Sequence, residues 1–432
     1  MLKKHPKGLM ILFMTEIWER FGFYIMSSIF VLYMQHDLNY DGTTRGILYA
    51  VFLGASYMFP IAGGFLGDRL YGQIRTIRYG AYLMAIGYIF FGLSSIDAQY
   101  LFYIGLAFVT FGTGIFKVNM SVLLGSMYKG NESRKDAGFN IYYMGVNIGA
   151  TIGPFAANII GYLTDNYNIS FYAAAIGMVL SILIFEFNRK KLEEFDSKLK
   201  QIDEENNNIE IKTVSPDPQM DKAEFKDRIV TLIMLFLVAS LFWVPFYQNG
   251  IGLTYFVDRS TVQHELLRPE LYLAFNAIFI VILTPIMLAI FGKMREKGKE
   301  PATPNKIFIG LILMGSSMLI MVWASLEGGN LNQNIMSPLW VIMTYLIVTL
   351  AEIMISPLGQ SYVTKVAPPK VQGLMMGGWF GATALGGMTS GLIAAFYDTM
   401  SHHMYFLALA VLTFFAAAMI LLFMKKLKKY GN

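Results

Sequence analysis

Leu9 to Met34 reads LMILFMTEIWERFGFYIMSSIFVLYM, and its middle holds Glu16-Ile17-Trp18-Glu19-Arg20-Phe21. A bilayer span needs about 20 mostly apolar residues, so this stretch is long enough to cross. Each ionisable group near the centre of a span costs at least about 2.5–3.5 kcal/mol on insertion scales. Three such groups at mid-span are therefore either a site facing a water-filled cavity, where ions are handled, or a costly structural ion pair.

The whole chain has the composition of a polytopic membrane protein. Of its 432 residues 55% are hydrophobic and only 15% charged, against about 25% charged in soluble domains; mean hydropathy is +0.49. The net charge of +5 is not a nucleic-acid footprint, because the Lys and Arg lie in short loops between apolar segments. Cysteine is absent, which excludes disulfides, thiolate nucleophiles and sulfur-ligated metals. The first apolar stretch is too long and too charged for the h-region of a cleavable signal peptide.

Twelve apolar segments follow one another: 9–34, 45–67, 76–96, 99–126, 138–163, 171–188, 228–257, 270–292, 305–326, 338–364, 371–397 and 403–424. Arg45, Arg259 and Arg268 fall in one set of loops, Arg20 and Lys117 fall inside segments, and all the other Lys and Arg lie at the opposite set of ends. By the positive-inside rule both termini and the long connection 189–227 are cytoplasmic. That connection is polar, with Asn206-Asn207-Asn208, Pro216 and Pro218, and reads as a linker. The expected architecture is all-α: an N-terminal six-helix bundle over 1–188, the linker, and a C-terminal six-helix bundle over 228–432. Two six-helix halves around a central site is a transporter layout.

On the first helix Glu16, Glu19, Arg20, Phe23, Tyr24 and Ser27 recur at three- and four-residue spacing and share one face. Two carboxylates beside one guanidinium that stays charged leave a carboxyl able to titrate, which is what proton coupling requires. Lys117 lies in the fourth segment, about nine residues or roughly 13 Å of helix rise from its cytoplasmic end, near the limit of snorkelling. Glu352 sits near the middle of the tenth. A site carrying Lys117 from one half and Glu352 from the other would suit a zwitterion. Pro60, Pro154, Pro245, Pro285 and Pro357 inside segments suggest helices that kink around a cavity. Asp68 and Arg69 can form a charged clasp at the cytoplasmic end of the second helix. Tyr and Trp are discounted as interfacial anchors as readily as ligand contacts. No H-E-x-x-H, P-loop or G-x-S-x-G pattern supports an enzyme.

At Glu16-x-x-Glu19-Arg20-Phe21-x-Phe23-Tyr24 the chain resembles the E-x-x-E-R-F-x-Y-Y motif of the proton-dependent oligopeptide transporters, a branch of the major facilitator superfamily. Tyr57-x-x-Pro60-x-x-Gly63-Gly64 with Asp68-Arg69 is similar to the second helix of that family, and Phe116-Lys117-Val118-Asn119 to its F-K-P-N. Tyr142-x-x-x-x-Asn147-x-Gly149, Phe242-Trp243 with Gln248, Asn276 with Pro285, Glu352-x-x-x-Ser356-Pro357-x-Gly359 and Gly378-Trp379-Phe380 extend the likeness along nearly the whole chain.

The resemblance implies a proton-coupled symporter that imports di- and tripeptides by alternating access, needs no cofactor beyond the proton gradient, and works as a monomer in a bacterial inner membrane. It implies proton coupling by Glu16, Glu19, Arg20, Lys117 and Glu352. Arg20 and Lys117 would receive the peptide carboxylate and Glu352 the amino group, with Tyr24, Tyr57, Asn147, Asn276 and Trp379 lining the pocket. Arg45 and Asp258 match its outer gate pair. The chain departs from the pattern at Phe23, at Ser27 and Tyr247, where an Arg–Glu pair is common, and in a linker without the two extra helices of many bacterial members. Other cargo on the same chassis (nitrate, a modified peptide, a peptide-like natural product), a drug/proton antiporter, and a non-transporting receptor are the competing readings.

Overall fold

The computed structural model describes residues 5–128, 134–196, 221–368 and 371–431. The linker stretch 197–220, Lys3, Lys4 and Lys370 lie outside the described residues. Everything described is helical apart from short loops and one isolated bridge between Thr261 and Met336. The helices are α1 (Lys7–His36), α2 (Gly42–Phe65), α3 (Gln73–Leu93), α4 (Gln99–Ser126), α5 (Lys135–Thr164) and α6 (Tyr167–Asn188), then α7 (Lys222–Phe246), α8 (Gly252–Ser260), α9 (Leu273–Glu296), α10 (Thr303–Glu327), α11 (Pro338–Val366), α12 (Gln372–Ala394) and α13 (His402–Gly431). Each apolar segment coincides with one long helix to within a few residues, except the seventh. There Pro245 and the turn Tyr247–Gly250 divide the segment into α7 and α8.

Ten helical stretches among the described residues are long and apolar enough to cross a membrane. The other two long helices are diluted: α1 by Glu16, Glu19 and Arg20, α12 by its glycines. Large apolar side chains such as Ile61, Leu163, Ile176, Phe187, Leu288 and Leu422 are exposed. So much exposed apolar surface is suited to lipid and not to water. The chain is a multi-pass membrane protein.

The described residues group into two compact units. Unit 1 is drawn from Met1–Asn39, Ala55–Thr213 and Glu265–Ala277, and unit 2 from Tyr40–Gly54, Val214–His264 and Ile278–Asn432. Each unit thus takes in a short segment from the far half of the sequence.

In unit 1, α1 packs against α5 and α6, and α3 against α4 and α6. Lipid offers no hydrophobic driving force between helices, so close backbone approach has to supply the contact. On α5 Gly145, Gly149 and Gly153 recur every four residues. A Cβ on them would strike Phe13, Ile17 and Arg20, and Phe21, in that order up α1. Gly80 with Gly112 and Gly87 with Gly105 do the same for α3 and α4. After α6 the chain tucks back: the Asp196 carboxylate accepts from Ile74 N at 2.9 Å and caps α3. Leu192 there is fully buried beside Gly8.

In unit 2, α10 packs on α11 and α13, and α12 on α7. Gly391 lets α12 meet the backbone of α2 at Ala50. The broken seventh segment frees polar groups, and side chains satisfy them. Gln248 donates to Ser390 O and Oγ at 3.1 and 2.9 Å and accepts from the Tyr405 hydroxyl at 2.5 Å. Tyr345 and Tyr49 donate to Asn249 O and Tyr247 O at 2.8 and 3.1 Å.

Candidate functional site

The glycine ridge of α5 holds α1 in register, and that register builds the charged cluster. Glu16, Glu19 and Arg20 are 1%, 0% and 4% exposed, so none of the three is solvated surface. Arg20 grips Glu19 through Nε on one carboxylate oxygen and Nη2 on the other, the latter at 2.5 Å. Its Nε lies 3.4 Å from Glu16 Oε1. The second Glu16 oxygen accepts from the Tyr142 hydroxyl of α5 at 2.5 Å. The guanidinium also covers the Phe23 ring at 4.7 Å. Phe23 thus retains a cation–π contact where the motif expects a hydroxyl. Ser27, another departure, donates to Phe23 O at 2.8 Å within its own helix.

Lys117 on α4 is exposed, with its Nζ 5.9 Å from the centre of the Tyr57 ring. It is close enough to feel Glu16, Glu19 and Arg20 electrostatically, and among the described residues of unit 1 it forms no ion pair. Its neighbour Asn119 faces the other way. The Asn119 amide donates to Gly63 O and Ile115 O, both at 2.8 Å, and Gly67 lies directly against it. The F-K-x-N stretch therefore faces two ways: Asn119 clamps α2 to α4, and Lys117 lies within electrostatic range of the α1 charges.

The other expected residues are placed as follows. Tyr24 is half-buried on α1, edge-on to Phe23 at 5.7 Å. Asn147 is buried on α5, where it donates to Tyr143 O at 2.9 Å. Asn276 is half-buried in the first turn of α9 and belongs to unit 1. Asp68 and Arg69 are exposed in the wide helical turn Leu66–Tyr71 that ends the second segment, and Gln73 donates to Asp68 at 3.0 Å. In unit 2, Glu352 is half-buried on α11. Trp379 is 1% exposed and its indole lies against Gly359, among apolar side chains of α7, α10 and α11.

Arg45, buried in unit 2, donates to Asp398 Oδ2 at 2.7 Å, and Arg259 donates to Asp398 Oδ1 at 2.5 Å. Both guanidinium groups lie over the Tyr255 ring, at 4.7 and 4.8 Å. Asp258, the expected partner of Arg45, is half-buried on α8 beside this group. A matching arrangement stands in unit 1: Arg268 donates to Asp165 at 2.9 Å and to Glu270 at 3.0 Å. Asp398 follows α12 as Asp165 follows α5. Sequence reasoning passes over Asp398, Arg259, Asp165 and Arg268, because charges at helix ends look like ordinary loop charges. It passes over the role of Tyr142 because nothing in the spacing shows which helix its hydroxyl reaches.

A buried carboxylate–guanidinium cluster thus sits on one helix of a multi-pass membrane protein. The sequence profile of the POT family matches residues 74–212 and 187–410, and the chain belongs to that family. It is 29% identical to the uncharacterized transporter YclF of Bacillus subtilis over 98% of this chain and 95% of that one. It is also 29% identical to dipeptide and tripeptide permease A of Escherichia coli, over 90% of this chain and 85% of that one. A crystal structure of a point mutant of the peptide transporter POT in complex with alafosfalin superposes with a TM-score of 0.87 at 27% identity, covering 100% of this chain and 97% of that one. These relatives are transporters, not enzymes.

Proposed function

We propose that this protein is a proton-coupled symporter importing di- and tripeptides by alternating access. The observation that carries the reading is the Glu16–Glu19–Arg20–Tyr142 cluster: two buried carboxylates share one guanidinium, so one of them is free to take up and release a proton. A purely structural ion pair would need only one carboxylate, and apolar residues often replace such pairs without loss of stability. Two relatives, a dipeptide and tripeptide permease and a peptide transporter solved with alafosfalin, support a peptide cargo. In this reading Arg20 and Lys117 take the peptide carboxylate and Glu352 the amino group. Tyr24, Tyr57, Asn147, Asn276 and Trp379 shape the specificity, and Asp68, Arg69, Arg45 and Asp258 serve the gates.

The membrane arrangement belongs to the same proposal. With α1 and α12 counted as spans the chain crosses twelve times, in two six-helix bundles over 1–188 and 228–432. The Lys/Arg bias puts both termini on the cytoplasmic side of a bacterial inner membrane. The proton gradient is the only energy source, and a monomer suffices. The test is dipeptide-stimulated proton influx into proteoliposomes carrying a trapped pH dye. Dialanine should acidify the lumen of wild-type vesicles and leave Glu16→Gln vesicles unchanged. Equal acidification in both refutes the coupling role of the cluster.

A further inference from the structure

Glu16 and Glu19 are one turn apart and share Arg20, yet their surroundings are chemically different. Glu19 is held by two nitrogens of one guanidinium. Arginine has donors and no acceptor, so a proton placed on Glu19 would meet a partner that cannot accept it. Glu16 is only loosely held by Arg20, at 3.4 Å, which is beyond a good hydrogen bond. Its short bond, at 2.5 Å, comes from the Tyr142 hydroxyl. A phenol hydroxyl both donates and accepts. It can donate to a carboxylate and accept from a carboxylic acid without leaving either group unmatched.

We propose that Tyr142 makes Glu16 the carboxylate that exchanges the proton and leaves Glu19 as the fixed counter-ion of Arg20. This rests on the proton-coupled reading above and extends it to a positioning residue on α5. On loading, the proton adds to the Glu16 carboxylate. The Tyr142 hydrogen then turns away and the phenol oxygen accepts from the new carboxyl O–H. The Arg20–Glu19 pair is undisturbed. Release reverses these steps.

The groups facing Glu16 are Glu19 and Arg20 on α1, Lys117 on α4 and Tyr142 on α5. Helix α6 presents Ala174, Gly177 and Ser181 to α1, none of which titrates. From α3, Tyr88 is in range of Glu19 and Arg20. The turn Pro269–Leu271 also packs on α1, and its Glu270 is paired with Arg268. Among the described residues, no other facing group gives the Glu16 carboxylate a hydrogen bond.

The experiment uses the full chain in proteoliposomes, with dialanine uptake measured from acidic to mildly alkaline external pH. Tyr142→Phe removes the bond from both forms of Glu16, and the bond to the charged carboxylate is the stronger of the two, so the charged form loses more. The uptake profile of Tyr142→Phe should move to higher pH by about one unit, a tenfold change in proton affinity; a profile that overlays the wild type overturns the proposal. Infrared difference spectra on acidification decide the matter even where Tyr142→Phe folds poorly. A carboxylic-acid C=O band should appear in the wild type, survive in Glu19→Gln and vanish in Glu16→Gln; the opposite pattern overturns the assignment. Wild-type vesicles with no proton-driven uptake would sink the symport reading instead, while the infrared band would still report which carboxylate is protonated.

Discussion

Substituting Gly149 by alanine should disable the charged cluster without touching any charge. A Cβ on Gly149 lies 2.5 Å from Ile17 O and 2.6 Å from Arg20 Cβ, where ordinary contact begins at 3.4 Å. The helices must therefore part locally by about 0.9 Å (3.4 − 2.5). Tyr142 stands two turns away on the same face of α5, and its 2.5 Å bond to Glu16 would stretch towards roughly 3.4 Å, past hydrogen-bond range. Overpacking costs about 1–3 kcal/mol, and the better helix propensity of alanine returns about 0.8–1 kcal/mol. The net destabilisation is then about 0–2 kcal/mol. Function should suffer more than stability, because misplacing a functional group by about 1 Å can cost a hundredfold in rate. We expect at least about a tenfold loss of proton-driven uptake, with Tm in detergent only modestly lower. A Gly149→Ala protein that transports at the wild-type rate would refute the ridge as the element that sets the register. Gly64, with nothing within 4 Å of its Cβ position, is the control: Gly64→Ala should gain about 0.5–1 kcal/mol of stability.

Further outcomes are expected from the same geometry. Arg20→Lys keeps the charge but lacks the fork that spans both Glu19 oxygens; uptake should fall by at least about tenfold in protein that remains monodisperse on size-exclusion chromatography. Asn119→Ala removes the 2.8 Å bond to Gly63 O that ties α2 to α4, together with a bond to Ile115 O within α4, and should cost about 1–3 kcal/mol, read as a lower midpoint in thermal unfolding. Glu300, in the loop before α10, is held down to a pKa of about 2 by hydrogen bonds from Arg295 and Lys306. A depressed carboxylate stabilises the fold above its ordinary range near 4.5 and loses that contribution as pH falls towards about 2. Glu300→Gln should thus lower stability at neutral pH yet leave the pH profile of uptake unmoved. A shifted profile would mean the titration seen in transport is not confined to the α1 cluster.

The helices were legible because apolar length is a local property. The charges of α1 stood out because ionisable groups inside a span are costly. Glycine spacing on α5 was visible too, but which helix it receives depends on the fold. The same holds for Tyr142: spacing within α5 shows its face, and only packing brings its hydroxyl to Glu16. Asp398 could not be picked as the carboxylate holding Arg45 and Arg259, since the three lie far apart in sequence, at or beyond helix ends, and look individually like solvated loop charges. Asp196 was hidden for a similar reason, as a carboxylate in a polar linker that turns out to cap α3. Pro245 marked a kink in the seventh segment, but apolar length over 228–257 did not show the break at Tyr247–Gly250. The side chains that satisfy it, Ser390, Tyr405, Tyr345 and Tyr49, come from distant sequence.

Concentrative uptake is the most direct measurement. Proteoliposomes are given an inward proton gradient and labelled dialanine, and accumulation is followed with and without a protonophore. The label should rise above its external concentration and fall back to equilibrium once the protonophore is added. Accumulation that is insensitive to the protonophore, or labelled peptide that never exceeds equilibrium, would contradict proton-driven import.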